Sequence, residues 1–306
     1  MQLNFDDLKS ECCGRWPGIF GHFGVDVGSG KHKPCPSCGG KDRFRFDGAY
    51  SHGNYICGQC GSGDGFSLLM KVFNWDFTEC IEKIGGVVGM APIHKVPKLE
   101  KKDPAILLRA AYRASEKLHP SDLVSKYLRA RGLVLTPNDI LFCPNCYESD
   151  TKTKMPAMMG IIRNKSGEGI SIHRTYLNND KKADIDSPKK IMPVKEPLLG
   201  SSVRLFNPDD KIFKSGTLGV AEGIETAMAA SQLFQIATWS CLSTSILESF
   251  DPPDGINEIW IFSDNDANFA GQKSAYILAN RLYLKDYLVK VMIPDRADWN
   301  DELIAT

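Results

Sequence analysis

The sequence predicts a multi-domain protein, α+β through its first two parts and α/β at its end. Three observations carry that expectation. Four cysteines near the N-terminus fall in two Cys-x-x-Cys pairs. From Thr217 onward short apolar runs alternate with helical patterns (TLGVAEG, IETAMAASQLF, QIATWSC, INEIWIFSDND, AGQKSAYILANRLY, LVKVMIP), the order of a mainly parallel sheet with crossover helices. The charge also changes sign along a chain whose net charge is zero: residues 101–215 hold 21 Lys/Arg against 13 Asp/Glu, and residues 216–306 hold 5 against 13. A basic middle beside an acidic end suits a protein that holds phosphates on one surface and divalent cations on another. Ordinary variation between domains fits the same numbers.

Taken in order, residues 1–84 read as a first domain: a short helical pattern, the Cys-rich region, then FSLLMKVFNWDFTECIEKI with helical periodicity. GGVVGMAPIHKVPKLEKKDP, residues 85–104, is rich in Gly, Pro and Lys without a period and reads as a linker. In the basic part, 105–215, PAILLRAAYRASEKL and SDLVSKYLRARGL read as helices, the second with Ser121 as N-cap. MMGIIRN and GISIHRTYL then read as strands between turn residues. Residues 216–306 form the α/β end. No apolar run is long enough to span a bilayer, and MQLNFDDLKSECC lacks the basic-then-apolar pattern of a secretory leader. The expected compartment is therefore a reducing cytoplasm, with no membrane partner.

Cys35 and Cys38 are separated from Cys57 and Cys60 by 18 residues. Two such knuckles supply four thiolates to one tetrahedral zinc ion, and a site without a spare position is structural. A disulfide or redox pair is the alternative, and His32 or His52 are possible replacements for a cysteine. Between the knuckles KDRFRF reads as a strand, which places Arg43 and Arg45 on one face and Phe44 and Phe46 on the other. Either the arginines meet nucleic acid while the rings pack beside the metal, or the rings stack on bases and the arginines are solvated. Cys143 and Cys146 repeat the spacing without a second pair and read as structural or incidental. Cys80 and Cys241 read as small buried residues.

In the α/β end, Glu222 falls where an apolar run meets a glycine and a helix begins. In open α/β sheets ligands bind at that point, beyond the carboxyl ends of the strands. IWIF then ends in Asp264-Asn265-Asp266, whose two carboxylates share a face in an extended segment. The next strand leads to Asp295, Asp298 and Asp301. Each acid alone is explained by a helix cap or a turn. Acids after three successive strands point to a divalent cation placed for phosphoryl transfer.

The motifs EGIETA, SDND and RADWND resemble the TOPRIM domain of bacterial-type primases, topoisomerases and some nucleases. CPSCGGKDRFRF with CGQCGSGDGFSLL resembles the zinc ribbon of phage and plasmid DNA primases, including the satellite-phage alpha-type proteins. GISIHRTYLNNDKKA is similar to the basic segment preceding TOPRIM in that family. The resemblance implies an N-terminal zinc ribbon, a basic α+β middle and a TOPRIM-like α/β layer. It further implies a DNA primase making short RNA primers on single-stranded DNA from ribonucleoside triphosphates, in a phage or mobile element replicating in a bacterial cytoplasm. Zn²⁺ would be structural, Mg²⁺ or Mn²⁺ catalytic, and a separate replicative helicase the partner. Glu222 would act as general base or metal ligand, Asp264 and Asp266 as metal ligands, and Asp298 or Asp301 as the outer acid. Arg43, Phe44, Arg45, Arg163, Lys165, His173, Arg174 and Lys273 would meet template or triphosphate. Other readings are a TOPRIM nuclease, disfavoured by the ribbon, a topoisomerase, for which the length leaves little room, and a non-catalytic DNA-binding relative. VDVGSGKH lacks the leading Gly and the Ser/Thr of a P-loop and is set aside.

Overall fold

The computed structural model describes residues 5–28, 32–47, 52–90 and 103–306, and the chain divides into two compact units, Met1–Lys101 and Lys102–Thr306. The first unit begins with helices α1 (Phe5–Glu11) and α2 (Trp16–His22). Four strands follow: β1 (Lys33–Cys35), β2 (Gly39–Phe46), β3 (Tyr55–Cys57) and β4 (Gly61–Gly63), antiparallel in the order β1-β2-β3-β4. Helices α3 (Gly65–Phe73) and α4 (Phe77–Val87) close the unit, each capped by an aspartate, Asp64 and Asp76. At α4 the cap is a full capping box with Glu79, which satisfies two otherwise orphaned amides. The helix runs through Gly85 and Gly86, so the expected linker starts later than Gly85. Its stretch 91–102 lies outside the described residues.

The core of this unit is aromatic. Trp16, Phe20, Phe44, Phe46, Tyr55 and Phe66 are buried, with Trp16 edge-on to Phe66 at 4.9 Å and Phe44 stacked on Tyr55 at 5.6 Å. Period-two alternation along β2 buries Phe44 and Phe46 and leaves Arg45 exposed.

The second unit opens with α5 (Pro104–Arg113), β5 (Glu116–Lys117) and α6 (Leu123–Ala130). The cap of α6 is Asp122, which accepts from the Ser125 amide at 2.6 Å, in place of the expected Ser121. A carboxylate is the better choice at that position because it also meets the positive end of the helix dipole. Strands β6 (Ile140–Glu148), β7 (Thr153–Arg163) and β8 (Gly169–Asn178) form an antiparallel meander, extended by β9 (Lys181–Lys182) and β10 (Lys189–Ile191) on β8. Strand β11 (Ser202–Val203) pairs with β7.

The α/β end follows as β12 (Thr217–Ala221), α7 (Ile224–Phe234), β13 (Thr238–Ser240), α8 (Thr244–Glu248), β14 (Glu258–Phe262), α9 (Ala270–Tyr283), β15 (Leu288–Met292) and α10 (Trp299–Ala305). One sheet spans the unit in the order β10-β8-β7-β11-β13-β12-β14-β15, and β13, β12, β14 and β15 are parallel. Both faces of the parallel part are covered. Leu218, Val220, Ile259 and Ile261 pack on the side of α8 and α9, while Ala221 and Phe262 pack on the side of α7 and α10. Strands buried on both faces read as continuous apolar runs, which is how LGVA and IWIF appear in the sequence.

Candidate active site and metal centre

In the first unit the knuckles converge. Cys35 Sγ lies 3.9 Å from Cys60 Sγ and Cys38 Sγ 3.7 Å from Cys57 Sγ, with all four ligand atoms within 4.8 Å of one another. Four sulfurs about 2.3 Å from a tetrahedral ion would stand ~3.8 Å apart, so the cage fits zinc. The amides of Gln59 and Cys60 point at Cys57 Sγ from 3.4 and 3.3 Å, giving hydrogen bonds suited to a thiolate. His32 is turned to the Asp42 carbonyl and is not one of the clustered ligands.

Among the proposed readers on β2, Phe44 is fully buried, so its ring packs in the core and offers no face to a base. Arg43 donates to Gln59 at 3.0 Å and is half-buried. Arg45 is the exposed member, beside the exposed Ile56 on the paired strand.

In the second unit the parallel strands end level: Ala221 pairs with Phe262 and Phe262 with Met292. Glu222 leaves β12 one residue past that line, and Asp264 leaves β14 two residues past it. Burial pushes Glu222 up to about 7, and the Asp264 and Asp266 carboxylates add to the shift. Burial likewise pushes Asp264 up to about 6, helped by Asp298 and Asp266. Repulsion from neighbouring carboxylates thus adds to both shifts, and a dication would relieve it. They are more spread than the cysteines, which are the one compact group of three or more potential ligands among the described residues.

Several side chains that sequence reasoning missed support this acid face. Thr226, one turn after Glu222, donates to Asp264 at 3.3 Å. Asn265 fastens its loop to the next one, its amide on the Ala297 carbonyl at 2.8 Å and its side chain on the Pro294 carbonyl at 3.1 Å. Gln272 on α9 donates to Asn265 at 3.0 Å. Gly271 lets α9 approach, since a Cβ there would lie 3.0 Å from the Asp264 carbonyl. Lys189, on β10, pulls the pKa of both Glu222 and Asp264 down. Nothing local marked Lys189, because the sheet brings it in from 33 residues away.

The remaining candidates are distributed. Asp298 caps α10, accepting from the Asp301 amide at 2.8 Å, and Asp301 itself is exposed. Arg163 forms a two-pronged pair with Asp139, 2.7 Å at each contact, and so is bound within the fold. Lys165 and Lys273 are exposed. Arg174 donates to the Tyr147 carbonyl at 3.1 Å and lies over the Tyr176 ring. His173 is 7% exposed and its Nδ1 has no hydrogen-bond partner; burial holds its pKa down at about 3, so the ring is neutral. Direct template contact by His173 is therefore replaced by a core position. Cys143 and Cys146 flank a bulge in β6 and are buried.

Among the described residues no helix is long and apolar enough to cross a membrane. Residues 30–66 match the zinc-binding domain of primase-helicase, 217–306 match the Toprim domain, and 102–205 match a domain of unknown function. Among solved structures, a DNA primase domain from Pseudomonas aeruginosa is 18% identical at a TM-score of 0.43, covering 66% of this chain and 74% of that one. The primase fragment of the bacteriophage T7 primase-helicase is 16% identical at 0.39, over 90% and 97% of the two chains. The Aquifex aeolicus primase, with its zinc-binding and RNA polymerase domains, is 14% identical at 0.43, over 100% and 83%. A zinc-binding domain of the primase-helicase kind is thus matched at the front of the chain and a Toprim domain at its end, the pairing by which the sequence resembles the zinc-ribbon Toprim primases.

Proposed function

We propose that the protein is a DNA primase that makes short RNA primers on single-stranded DNA by metal-dependent nucleotidyl transfer. What supports this reading is that Glu222 and Asp264 follow the level ends of the adjacent parallel strands β12 and β14 by one and two residues, both held well above the usual carboxylate range by burial and by neighbouring acids. Oxygen donors of that kind suit Mg²⁺ or Mn²⁺. The bound cation would supply charge stabilisation at the reacting phosphate.

The chain's own groups have separable roles in this reading. Asp264 and Asp266 would hold the cation, and Glu222 would either join them as a ligand or take the proton of an attacking 3′-hydroxyl. Thr226 and Asn265 fix the loop that carries Asp264. Arg45 and Lys165 are the exposed cations of the predicted set best placed to meet template or triphosphate, and Lys273 is a third. The zinc cage holds β2 and β3 in register so that Arg45 faces outward. A separate replicative helicase and a phage or mobile-element setting in a bacterial cytoplasm belong to the same proposal.

Incubation with single-stranded DNA, labelled ribonucleotides and Mg²⁺ tests it. Wild type should yield template-dependent short RNA, and Asp264→Ala should lower the yield by at least about 100-fold. Degradation of the DNA in place of RNA synthesis would replace the primase reading with that of a Toprim nuclease.

A further inference from the structure

Beside the acid face lies a buried charged cluster that the proposed chemistry does not use. Glu225, on α7 three residues after Glu222, is 5% exposed. The Tyr127 hydroxyl donates to its Oε1 at 2.6 Å. Lys182 Nζ stands 3.4 Å from Oε1 and Lys189 Nζ 3.5 Å from Oε2. A third cation, Arg131, lies over the Tyr127 ring at 5.7 Å.

A buried carboxylate needs partners, but one ammonium and a hydroxyl would satisfy this one. Here two lysines from two short strands converge on it, although their like charges repel. Glu225 is the group that lets them stay together. Burial alone would raise its pKa; Lys189 and Lys182 outweigh that and hold it well below the usual carboxylate range. Lys189 is also near enough to Glu222 and Asp264 to act on both electrostatically. Its ammonium is ion-paired at 3.5 Å to a carboxylate only three residues along the chain from Glu222. A lysine stem is flexible, and an ammonium cut loose from Glu225 would turn to the nearest unpaired carboxylates.

We propose that Glu225 is a positioning residue that tethers Lys189, with Lys182, so that Glu222 and Asp264 receive a divalent cation and not a lysine ammonium. The inference rests on the metal-binding reading of the acid face. It assigns to the buried glutamate of EGIETA a task distinct from that of Glu222: removing an internal competitor.

The test uses the full, zinc-loaded chain and Mn²⁺ as the probe. Affinity is measured by electron paramagnetic resonance of free Mn²⁺ for wild type, Glu225→Gln, Lys189→Gln and the double variant. Glu225→Gln should weaken Mn²⁺ binding roughly tenfold, and Lys189→Gln should restore most of that loss in the double variant while changing wild type by less than about threefold. Additive effects would overturn the tether, since simple loss and gain of charge near a cation add. Acetylation of single lysines, followed by mass spectrometry without metal, supplies a second readout. Lys189 should react faster in Glu225→Gln, whereas Lys190, held separately by Glu148 and Asp150, should not change. An unchanged Lys189, or a Lys190 that speeds up equally, would also overturn the inference, the latter because the whole segment would have loosened. Non-additive Mn²⁺ binding in a protein that makes no primers would refute the primase reading and still uphold the tether. A wild type that takes up no Mn²⁺ would overturn both.

Discussion

Phe44 and Arg45 are neighbours on β2 with opposite roles, and substitution separates them. Phe44→Ala removes a ring from the aromatic core of the first unit and should cost about 3–5 kcal/mol, read as a lower denaturation midpoint. Arg45→Ala touches no core contact and should change stability by less than about 0.5 kcal/mol. It should leave zinc stoichiometry intact, yet reduce primer yield on limiting template. Unchanged priming would make the strand a scaffold only. His173 gives a prediction in pH. Its ring stays neutral down to about 3 in the folded protein, against about 6.5 in an unfolded chain. The unfolded state therefore takes the proton first. The contribution of His173 to stability is full above pH 6.5 and falls by up to ~1.4 kcal/mol per unit as the pH drops towards 3. Chemical denaturation of wild type and His173→Gln at pH 7.5 and 5 should show the gap between them narrowing by about 2 kcal/mol in the acid. A constant gap would mean that the ring charges inside the fold.

Among the elements, the loops at the ends of β12 and β14 are held by their neighbours more than by their own sequence. Gly271→Ala should help α9 intrinsically, by up to about 1 kcal/mol. Its Cβ would press on the Asp264 carbonyl at 3.0 Å, and displacement of the loop proposed to hold the cation should cost roughly tenfold in priming. Near-normal thermal stability with reduced activity is the expected pair of results; normal activity would show that the loop yields freely. At this scale the sequence was legible where one element buries both faces or alternates regularly. LGVA, IWIF and RFRF were each readable, and so was the place of Glu222 and Asp264 just past the first two. Short strands were not. The two-residue strand β9 and the three-residue β10 owe their existence to pairing with β8, and no local pattern announces a strand of two lysines. Lys182, Lys189 and the tether to Glu225 were hidden for that reason. The cap of α6 was missed by one residue because Ser121 and Asp122 are both good caps and only the backbone angles decide between them.

For the whole molecule, the division at Lys101/Lys102 separates a unit built around a four-cysteine cage and a small aromatic core from one with a larger apolar core. The first unit leans on its zinc cage, as small domains do. Cys57→Ser, or chelation, should abolish its unfolding transition in calorimetry and leave that of the second unit in place. Loss of both together would show that the units fold as one. The order of ribbon, basic middle and acidic end was legible because cysteine spacing and charge sign are visible without a fold. The single sheet that unites residues 116–292 was not, since β11 makes that join with only Ser202 and Val203. Asp298 carries a last consequence. Its carboxylate already serves as the lid on the first turn of α10, accepting from the Asp301 amide at 2.8 Å, and the same group adds to the raised pKa of Asp264. A side chain with two calls on it makes the chain's last helix a gauge. If a cation recruits Asp298, the amide it releases exchanges with solvent faster. Deuterium uptake at the Asp301 amide would then report occupancy of the proposed cation site.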